Sequence, residues 1–511
     1  MVSSDDGNDG MGQVRAKRKA MELNKEGPTG RVFAEMAPSS DGNDGMLQVR
    51  AKSKAMKLNK EGPTVGIHFG TTSCSLAVIE GNVATIAASL PCYVSFTDSG
   101  PLIGDAAKEL FPMNRENTIT GPLRFVGYTA SALHSKLPAP IGVHMIEDLH
   151  EDDAPWINVT IKGVEKHLSP EAVSSLIIEE IKKTAEKSLG VCIVDVACAL
   201  PNKLENRNAR VDGIQNAIAF ADLRLAGTHT EVTAVVSAYG YEKEIRNPVI
   251  KNVLIVDVGG TASNVTLFSV GQDRLEYEET TTDDKICGER MDMNMALHIR
   301  DEFNKRHRGV HANMAVINRL LIPCEKAKIS LSSNDLVEVE VKQLLDGVDY
   351  STSFTRPKFE ELNGYLFVSL VKMIRCYLRK FAKDKYGRLH EIVLVGGCSN
   401  IPKLREVVQA QFESKLQIRL KPEYVVACGV AIRHAQEKEK EKEKEKAKAK
   451  AKAAEHQEVT GDDISCGMAL ISAYEKDDAP VTLGRFKALE RDLKAIQDDV
   501  TWIKERLQKG G

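Results

Sequence analysis

The sequence predicts an α/β protein with two lobes, each containing a strand-turn-strand hairpin whose turn suits a phosphate group. Two stretches predict these hairpins: residues 65–79 (VGIHFGTTSCSLAVI) and residues 253–270 (VLIVDVGGTASNVTLFSV). A third stretch, residues 392–402 (IVLVGGCSNIP), predicts a strand that leads through a Gly-Gly turn into a helix. Glycine lets the backbone approach a ligand closely, and neighbouring hydroxyl and N–H groups suit phosphate oxygens. A single such hairpin is usually structural, so the repeated design is what predicts a nucleotide between two lobes.

Four further segments carry a resemblance to a known family. They are residues 102–108 (LIGDAAK), 324–333 (CEKAKISLSS), 354–362 (FTRPKFEEL) and 393–403 (VLVGGCSNIPK). Together with the hairpins, and in this order, they resemble the 70-kDa heat-shock protein family, which has the actin-like ATPase fold. The resemblance covers about residues 65–435. It implies a nucleotide-binding domain whose lobes clasp ATP, with or without magnesium.

This domain is predicted to divide into lobe I, about residues 65–241, and lobe II, about residues 251–435. Ser169 is expected to cap a helix that starts at Pro170, because serine is favoured at the N-cap and proline in the first turn. Apolar spacing predicts the other main elements. They are a buried strand over 191–200 and helices over 289–307, 315–332, 357–381 and from 402 onward. The resemblance implies two further helices, over 231–241 and 425–435.

Two flanking regions are predicted outside this domain. Residues 1–64 contain a duplication, since residues 6–29 return almost unchanged at 41–64, and their polar composition predicts disorder. Residues 436–480 begin with strict Glu-Lys alternation, which places opposite charges at i,i+3 but like charges at i,i+4. We therefore expect an extended or partly helical charged linker. A nucleic-acid contact is the alternative to mere solvation for the basic residues of both regions.

The last segment, residues 481–509, is predicted to form a coiled-coil helix. Its apolar residues alternate at spacings of three and four over 486–507, and they are Phe486, Leu489, Leu493, Ile496, Val500, Ile503 and Leu507. This a/d seam needs a partner, because a helix this short is marginal in water by itself. The partner is another protein, a second copy of the chain or its own nucleotide domain.

The composition fits a soluble protein of about three domains. The chain has 511 residues and a net charge of −3, so no global attraction to nucleic acid or membrane is implied. Its 10 cysteines include no C-x-x-C pair, which favours free thiols in a reducing compartment over a disulfide or zinc framework. No apolar run approaches the ~18 residues that suggest a transmembrane helix. We expect a cytosolic protein with no membrane partner.

The resemblance implies roles for the residues that match the family's motifs. The phosphate-binding positions in the two hairpin turns are Gly70, Thr71, Thr72, Gly259, Gly260 and Thr261. Glu231 and Asp257 would hold magnesium through water molecules. The positions on the nucleoside side are Glu325, Lys328, Ser332, Gly396, Gly397 and Cys398. The second turn reads GGTA where the family has GGGT, so its hydroxyl position falls on Thr261 or on Ala262.

Five positions depart from the family's pattern. His68 stands at the acidic position of the first hairpin, Leu123 at the catalytic lysine and Asn264 at a second acid. Ile329 and Asn400 replace two arginines, the first of which stacks on adenine. Loss of a single acid-base group typically costs about 10²–10⁴ in rate. We therefore expect weak ATP binding with little dependence on magnesium, and impaired or absent hydrolysis.

This pattern resembles the atypical ribosome-associated branch of the family, whose members work with a J-domain protein on nascent or unfolded polypeptides. After residue 436, no strand-rich segment matches the β-sandwich with which typical members bind peptides. The expected function is an ATP-binding chaperone or co-chaperone with little ATPase activity. One alternative is an active ATP-driven chaperone. Another is a phosphotransferase of the same fold, although the sequence offers no candidate for the aspartate that such an enzyme aims at its hydroxyl substrate.

Overall fold

The structure is a computed structural model that describes residues 62–81, 83–136, 145–146, 153–202, 207–307, 314–345, 347–381, 388–412 and 415–474. The predicted coiled coil over 481–509 lies outside these residues, as does all but the end of the predicted N-terminal extension. The described residues up to Glu437 belong to one compact unit, and those from Lys438 to Tyr474 belong to a second. Within the described ranges, no helix is long and apolar enough to cross a membrane.

The strands fall into two groups along the chain. The first group comprises β1 (Val65–Phe69), β2 (Ser73–Glu80), β3 (Val83–Pro91), β4 (Tyr93–Thr97), β5 (Gly100–Ile103), β6 (Thr118–Thr120), β7 (Met145–Ile146), β8 (Trp156–Ile161), β9 (Val164–Leu168), β10 (Asp195–Leu200) and β11 (Arg224–Thr230). The second comprises β12 (Lys251–Val258), β13 (Ser263–Gly271), β14 (Arg274–Tyr277), β15 (Thr281–Asp283), β16 (Leu336–Leu345), β17 (Val348–Thr355), β18 (Glu391–Val395) and β19 (Lys415–Gln417).

The helices alternate with these strands. Those of lobe I are α1 (Asp105–Leu110), α2 (Ala130–Lys136), α3 (Pro170–Leu189), α4 (Arg207–Phe220) and α5 (Glu231–Tyr239). Those that follow β12 are α6 (Gly288–Arg306), α7 (Met314–Leu331), α8 (Arg356–Phe381), α9 (Pro402–Gln411) and α10 (Val425–Tyr474).

The two main sheets have the same strand order. In lobe I the order is β11-β10-β1-β2-β3, with β1, β2 and β3 antiparallel and β1, β10 and β11 parallel. In lobe II the order is β14-β13-β12-β18-β19, with β12, β13 and β14 antiparallel and β12, β18 and β19 parallel. This repeat confirms the predicted α/β fold with duplicated hairpins.

Most predicted elements agree with the structure. The Ser169 cap is confirmed, because its Oγ accepts a hydrogen bond from the Ala172 N–H at 3.2 Å. The predicted strand over 191–200 begins too early. The Ile193 N–H donates to Glu186 Oε1 at 2.8 Å, and sheet pairing starts only at Asp195 opposite Arg224. The β16–β17 hairpin had not been predicted.

Helix α10 is much longer than predicted. It begins at Val425, as expected, but continues through the Glu-Lys and Ala-Lys repeats to Tyr474. Glutamate, lysine and alanine all have high helix propensity, and the opposite charges at i,i+3 add support. These favourable contributions outweigh the like-charge pairs at i,i+4, which had suggested an extended or partly helical linker.

Helices α5 and α10 pack in the seam between the two sheets. One buried apolar cluster joins Ala197 of β10 to Val253 and Ile255 of β12, through Val235 of α5 and Val430 of α10. Because residues of both sheets and both helices share this cluster, the seam sets how the two hairpins face each other.

Glycine is required where the backbones meet in this seam. A Cβ added at Gly66 of β1 would lie 2.4 Å from the backbone nitrogen of Ala431 in α10. A Cβ at Gly429 of α10 would lie 1.9 Å from the carbonyl oxygen of Ala234 in α5. Both distances would be severe overlaps with backbone atoms that cannot rotate away.

We predict that Gly429→Ala lowers the free energy of unfolding by about 1–3 kcal/mol, the usual effect of overpacking a core. The matched control is Gly364→Ala in α8, where an added Cβ meets nothing within 4 Å. That change should stabilise the protein by about 0.5–1 kcal/mol, because alanine is the better helix former. Urea denaturation of the two variants measures both effects. An equal response of the two variants would contradict the close packing of α10 against α5.

Candidate functional site

The turns of the two hairpins have the same hydrogen-bonding pattern. In the first, the Gly70 N–H donates to the Ser73 carbonyl at 3.0 Å. In the second, the Gly259 N–H donates to the Ala262 carbonyl at 2.9 Å. The second turn therefore places Thr261, and not Ala262, at its tip. The sequence had left these two residues open as the hydroxyl position.

The tips of the two hairpins touch each other. Thr71 Oγ1 and Thr261 Oγ1 are hydrogen-bonded at 2.9 Å, although they belong to different lobes. A Cβ added at Gly260 would lie 2.2 Å from Thr72 Cγ2, so a side chain at residue 260 would push the hairpins apart. The structure thus brings together four of the predicted phosphate-binding residues, Thr71, Thr72, Gly260 and Thr261, across the cleft.

The backbone amides at these tips are available to a ligand. The N–H groups of Thr71, Thr72, Gly260 and Thr261 donate no hydrogen bond to any residue in the described part of the chain. Consecutive N–H groups of this kind form concave sites that attract anions. The hairpins therefore fit the triphosphate of a nucleotide.

A cluster of polar groups lies at the base of the cleft. His68 Nε2 is 3.5 Å from Glu231 Oε1, and the negative charge of Glu231 also acts on Asp257. Burial and then the Glu231 charge raise the pKa of Asp257 to about 6. His68 and a hydrogen bond from Asn264 oppose this rise. The structure thus places both predicted magnesium residues together with two of the altered positions.

Asn264 is held in place from two sides. It lies directly opposite Asp257 in the β12–β13 ladder, and its Nδ2 donates to Asp257 Oδ2 at 3.4 Å. Thr282 Oγ1 donates to Asn264 Oδ1 at 2.8 Å. An aspartate here would face the Asp257 carboxylate with its own negative charge. The amide instead supplies a donor, which stabilises ionised Asp257 without a metal ion.

A small cavity lies beside this cluster. Glu231, Asp257 and Asn264 line it, and its empty space of about 240 Å³ includes open solvent, so the enclosed part is smaller than the ~300–1,000 Å³ of most ligand pockets. Since the hairpin tips are also in contact, the lobes must open to admit a nucleotide.

Leu123 cannot supply the charge that the family's lysine provides. It lies in a short 3₁₀ helix, Pro122–Arg124, and packs against the apolar core of lobe I. It also lines a second small cavity with Phe69 and Gly70, so it does lie beside the first hairpin. The apolar side chain of Leu123 therefore lies next to the turn of the first hairpin.

The nucleoside side contains a buried ion pair. Lys328 Nζ lies 2.6 Å from Asp292 Oδ2 and also donates to the Gly288 carbonyl at 3.1 Å. Burial raises the pKa of Asp292 to about 7, although the Lys328 ammonium group opposes this rise. Cys398 Sγ, whose pKa burial raises to about 11, donates to the Gly259 carbonyl at 3.4 Å. This side of the site is therefore joined to the second hairpin.

The other predicted nucleoside residues are more dispersed. Ser332 Oγ donates weakly to the Lys328 carbonyl at 3.4 Å. A Cβ added at Gly396 would lie 2.3 Å from Asp257 Oδ1, whereas Gly397 has open space around it. Ile329, which is predicted to replace an adenine-stacking arginine, is 61% exposed.

Asn400, one of the altered positions, and Glu325, one of the retained ones, both form contacts with other residues of the protein. Asn400 donates to Glu423 Oε2 at 2.9 Å and accepts from Arg405 at 2.9 Å. Glu325 is bound across the cleft by Lys108 Nζ at 2.7 Å, which joins α7 to α1. The Lys108–Glu325 ion pair is a second direct link between the lobes.

Sequence reasoning missed four charged side chains that interact within this site: Lys108, Arg124, Glu289 and Asp292. Arg124 and Glu289 attract each other, and each partly offsets the effect of burial on the other's pKa. Glu289 and Asp292 lie three residues apart at the start of α6, which puts them on one helical face. The sequence did contain a signal for this part of the site, namely the acidic pair Glu289 and Asp292 near the start of the helix that follows the second hairpin.

Comparison with known proteins agrees with this geometry. The sequence profile of the family described as Hsp70 protein matches residues 64–464. The chain is 34% identical over 382 residues to heat shock cognate 70 kDa protein 3 of Dictyostelium discoideum, covering 73% of this chain and 60% of that protein. It is 32% identical over 378 residues to a heat shock 70 kDa protein of Emericella nidulans, covering 73% of this chain and 58% of that protein.

A third relative is shorter. Heat shock 70 kDa protein II of Paracentrotus lividus is 32% identical over 374 residues, which cover 71% of this chain and 98% of that protein. The chain spans about three fifths of the length of the longer curated relatives that it matches.

We predict that Asp257→Asn stabilises the protein at neutral pH. Because the pKa of Asp257 is raised to about 6, the folded state holds its proton more tightly than the unfolded state. This stabilisation is complete below about pH 4, the ordinary pKa of aspartate, and is lost as the pH rises through about 6. At pH 7.5 the variant should therefore exceed the wild type in free energy of unfolding by about 1–3 kcal/mol.

Urea denaturation at pH 4 and at pH 7.5 measures this effect, and the difference should nearly vanish at the lower pH. Exposed Asp284→Asn is the control and should show no such dependence. A variant less stable than the wild type at pH 7.5 would show that ionised Asp257 is stabilised in the cleft.

Proposed function

The chain belongs to the Hsp70 protein family, and we propose that it is an atypical chaperone or co-chaperone that binds ATP with little or no hydrolysis. The combination of two intact phosphate-binding turns with altered side chains in the same cleft supports this proposal most strongly. Both hairpin turns that would hold phosphates are in place and face each other. Leu123, His68 and Asn264 meanwhile stand where the family has a lysine and two acids.

The hairpin amides and the nucleoside residues would together hold the nucleotide. Phosphates would bind the N–H groups at Thr71, Thr72, Gly260 and Thr261. The buried Lys328 and Asp292 would orient the nucleoside from the other side, next to Glu325. The phosphates of bound ATP carry negative charge, and they would lie close to the acidic groups of the cleft.

The charges of the cleft explain a weak dependence on magnesium. Only Glu231 and Asp257 would hold the ion, and they would do so through waters, as suits the hydration of Mg²⁺. His68 contacts Glu231 and Asn264 contacts Asp257, so each remaining acid already has a polar partner within the protein. Fewer acids also repel the phosphates less when no metal is present.

Loss of turnover follows from the same residues. Leu123 offers no proton or positive charge to a phosphoryl group, and neither His68 nor Asn264 is a carboxylate that could orient a metal-bound water. Each such loss typically costs about 10²–10⁴ in rate, although the effects of residues that act together are not additive.

An active ATP-driven chaperone is the second candidate. The observation in its favour is that Glu231 and Asp257 remain together at the base of the cleft. Glu231 also begins helix α5, whose N-cap Thr230 accepts a hydrogen bond from the Thr233 N–H at 3.2 Å. This alternative needs another group to replace the lysine.

The proposed partners are unfolded or nascent polypeptides, a J-domain co-chaperone and the ribosome, in the cytosol. The resemblance to the ribosome-associated branch supports this assignment. A separate partner would bind the predicted coiled coil over 486–507, which lies outside the described residues.

Calorimetry should show weak ATP binding that changes only slightly when EDTA replaces magnesium, and single-turnover assays should show hydrolysis near background. The combined changes His68→Asp, Leu123→Lys and Asn264→Asp should raise the single-turnover rate by at least about 10²-fold. Ile329→Arg is the matched control. It should tighten ATP binding by restoring an adenine contact while leaving hydrolysis at background.

Two outcomes would contradict the proposal. One is tight ATP binding that strictly requires magnesium. The other is a wild-type hydrolysis rate far above background that the three combined changes do not raise, since the cleft would then already contain a complete catalytic set.

Sucrose-gradient sedimentation of cytosol at low salt tests the partners. We expect part of the protein to sediment with ribosomes and to recover a J-domain protein in a pull-down. Ile496→Asp should remove the coiled-coil partner, because it puts a charge into the a/d seam. Lys494→Asp introduces the same residue just outside that seam and should have no effect. Identical behaviour of both variants and the wild type would exclude the coiled coil, and confinement to the top fractions would exclude the ribosome.

A further inference from the structure

A second polar cluster lies away from the nucleotide cleft, where α10 passes strand β11. His229 of β11 and His434 and Glu437 of α10 each offer one metal-binding atom, and these atoms all lie within 4.8 Å of one another. Both histidines are buried. No motif in the sequence indicated this group, because His229 lies more than 200 residues before His434 and Glu437 along the chain.

We propose that His229, His434 and Glu437 form a zinc site that fastens the start of helix α10 to strand β11. Two imidazoles and one carboxylate are a ligand set that zinc uses in proteins, with a water molecule in the fourth position. Hard ions such as magnesium and calcium prefer oxygen ligands, so two histidines disfavour them.

The spacing of the ligands suits this role. His434 and Glu437 are three residues apart on one helix and therefore share a face. His229 Nε2 is already 3.7 Å from Glu437 Oε2. Zinc bonds of about 2.0–2.2 Å require ligand atoms at most about 4 Å apart, so the side chains need to converge by about 1 Å.

The surroundings leave room for an ion. Gly227 has no side chain, and a Cβ there would lie 3.3 Å from His434 Nδ1 and 3.7 Å from His229 Nε2. The His229 Nε2 atom is buried and makes no hydrogen bond to the described residues. Buried polar atoms are normally hydrogen-bonded, so this nitrogen is a strong candidate for a metal ligand.

The charges and protonation states also fit. Burial lowers the pKa of His229, which keeps the imidazole in the neutral form that binds metal. Arg433 Nε donates to Glu437 Oε1 at 2.8 Å and leaves Oε2 directed at His229. Arg433 also pairs with Glu242, so its positive charge is offset near the site. Metal-ligating carboxylates are commonly oriented by such outer hydrogen bonds.

Zinc would act on the fold at a defined place. Strand β11 leads through Thr230 directly to Glu231, which lies at the base of the cleft. Helix α10 packs in the seam between the lobes and then leaves the first compact unit at Glu437. A bound ion would therefore fix helix α10 to strand β11 at a place close to both the seam and Glu231.

The test uses the full chain after treatment with EDTA, titrated with zinc chloride and followed by calorimetry. We expect the wild type to bind one zinc ion at this site and to gain thermal stability, since a ligand of the native state raises Tm. His434→Gln and Glu437→Gln should each weaken this binding by at least about 100-fold, beyond the ~10–100-fold typical of an outer-shell change. Their Tm in EDTA checks that they fold.

The matched control is His298→Gln. His298 lies 3.6 Å from Glu302 on α6, and no third metal-binding side chain joins this pair among the residues that the structure describes. Its loss should leave zinc binding unchanged. Cobalt substitution excludes the cysteines, because nitrogen and oxygen ligands give no sulfur-to-metal charge-transfer band. Equal zinc binding by the wild type and both site variants, or a thiolate band from bound cobalt, would overturn the proposal.

Discussion

The close contact of helix α10 with strand β1 and helix α5 is the constraint on which the rest of the site depends. Gly66 and Gly429 let these backbones meet at distances that any side chain would prevent. The apolar cluster around this contact includes residues of both sheets, so it fixes one lobe against the other. The two hairpin turns consequently face each other, and Thr71 of one reaches Thr261 of the other.

The backbone of the two turns and the side chains of the cleft have different roles, the first in binding phosphate and the second in hydrolysis. The turns offer N–H groups to an anion whatever side chains surround them, so phosphate binding needs little more than the glycines and the correct fold. Hydrolysis needs charged groups at defined positions. Here the positions exist, but His68, Leu123 and Asn264 occupy them, and Asn264 is already engaged with Asp257 and Thr282. Under the proposed function, such a domain would bind ATP without hydrolysing it.

The sequence predicted the hairpins, the Gly-Gly turn and most helices, because glycine turns and apolar spacing are local signals. It could not predict the length of α10, where high helix propensity outweighed unfavourable i,i+4 charges. It also missed the Lys108–Glu325 and Lys328–Asp292 pairs and the cluster at His229. Each of these joins residues that are distant along the chain, and only tertiary packing brings them together.

Hydrogen exchange of the two turns in the presence of ATP tests the central claim most directly. If ATP binds between the hairpins without being hydrolysed, exchange should slow at residues 70–73 and 259–262 together, with the protection lasting as long as intact ATP is present. The protection should persist in EDTA, and no phosphate should accumulate over that time. Protection of neither turn, or protection that decays while phosphate is released, would contradict the account.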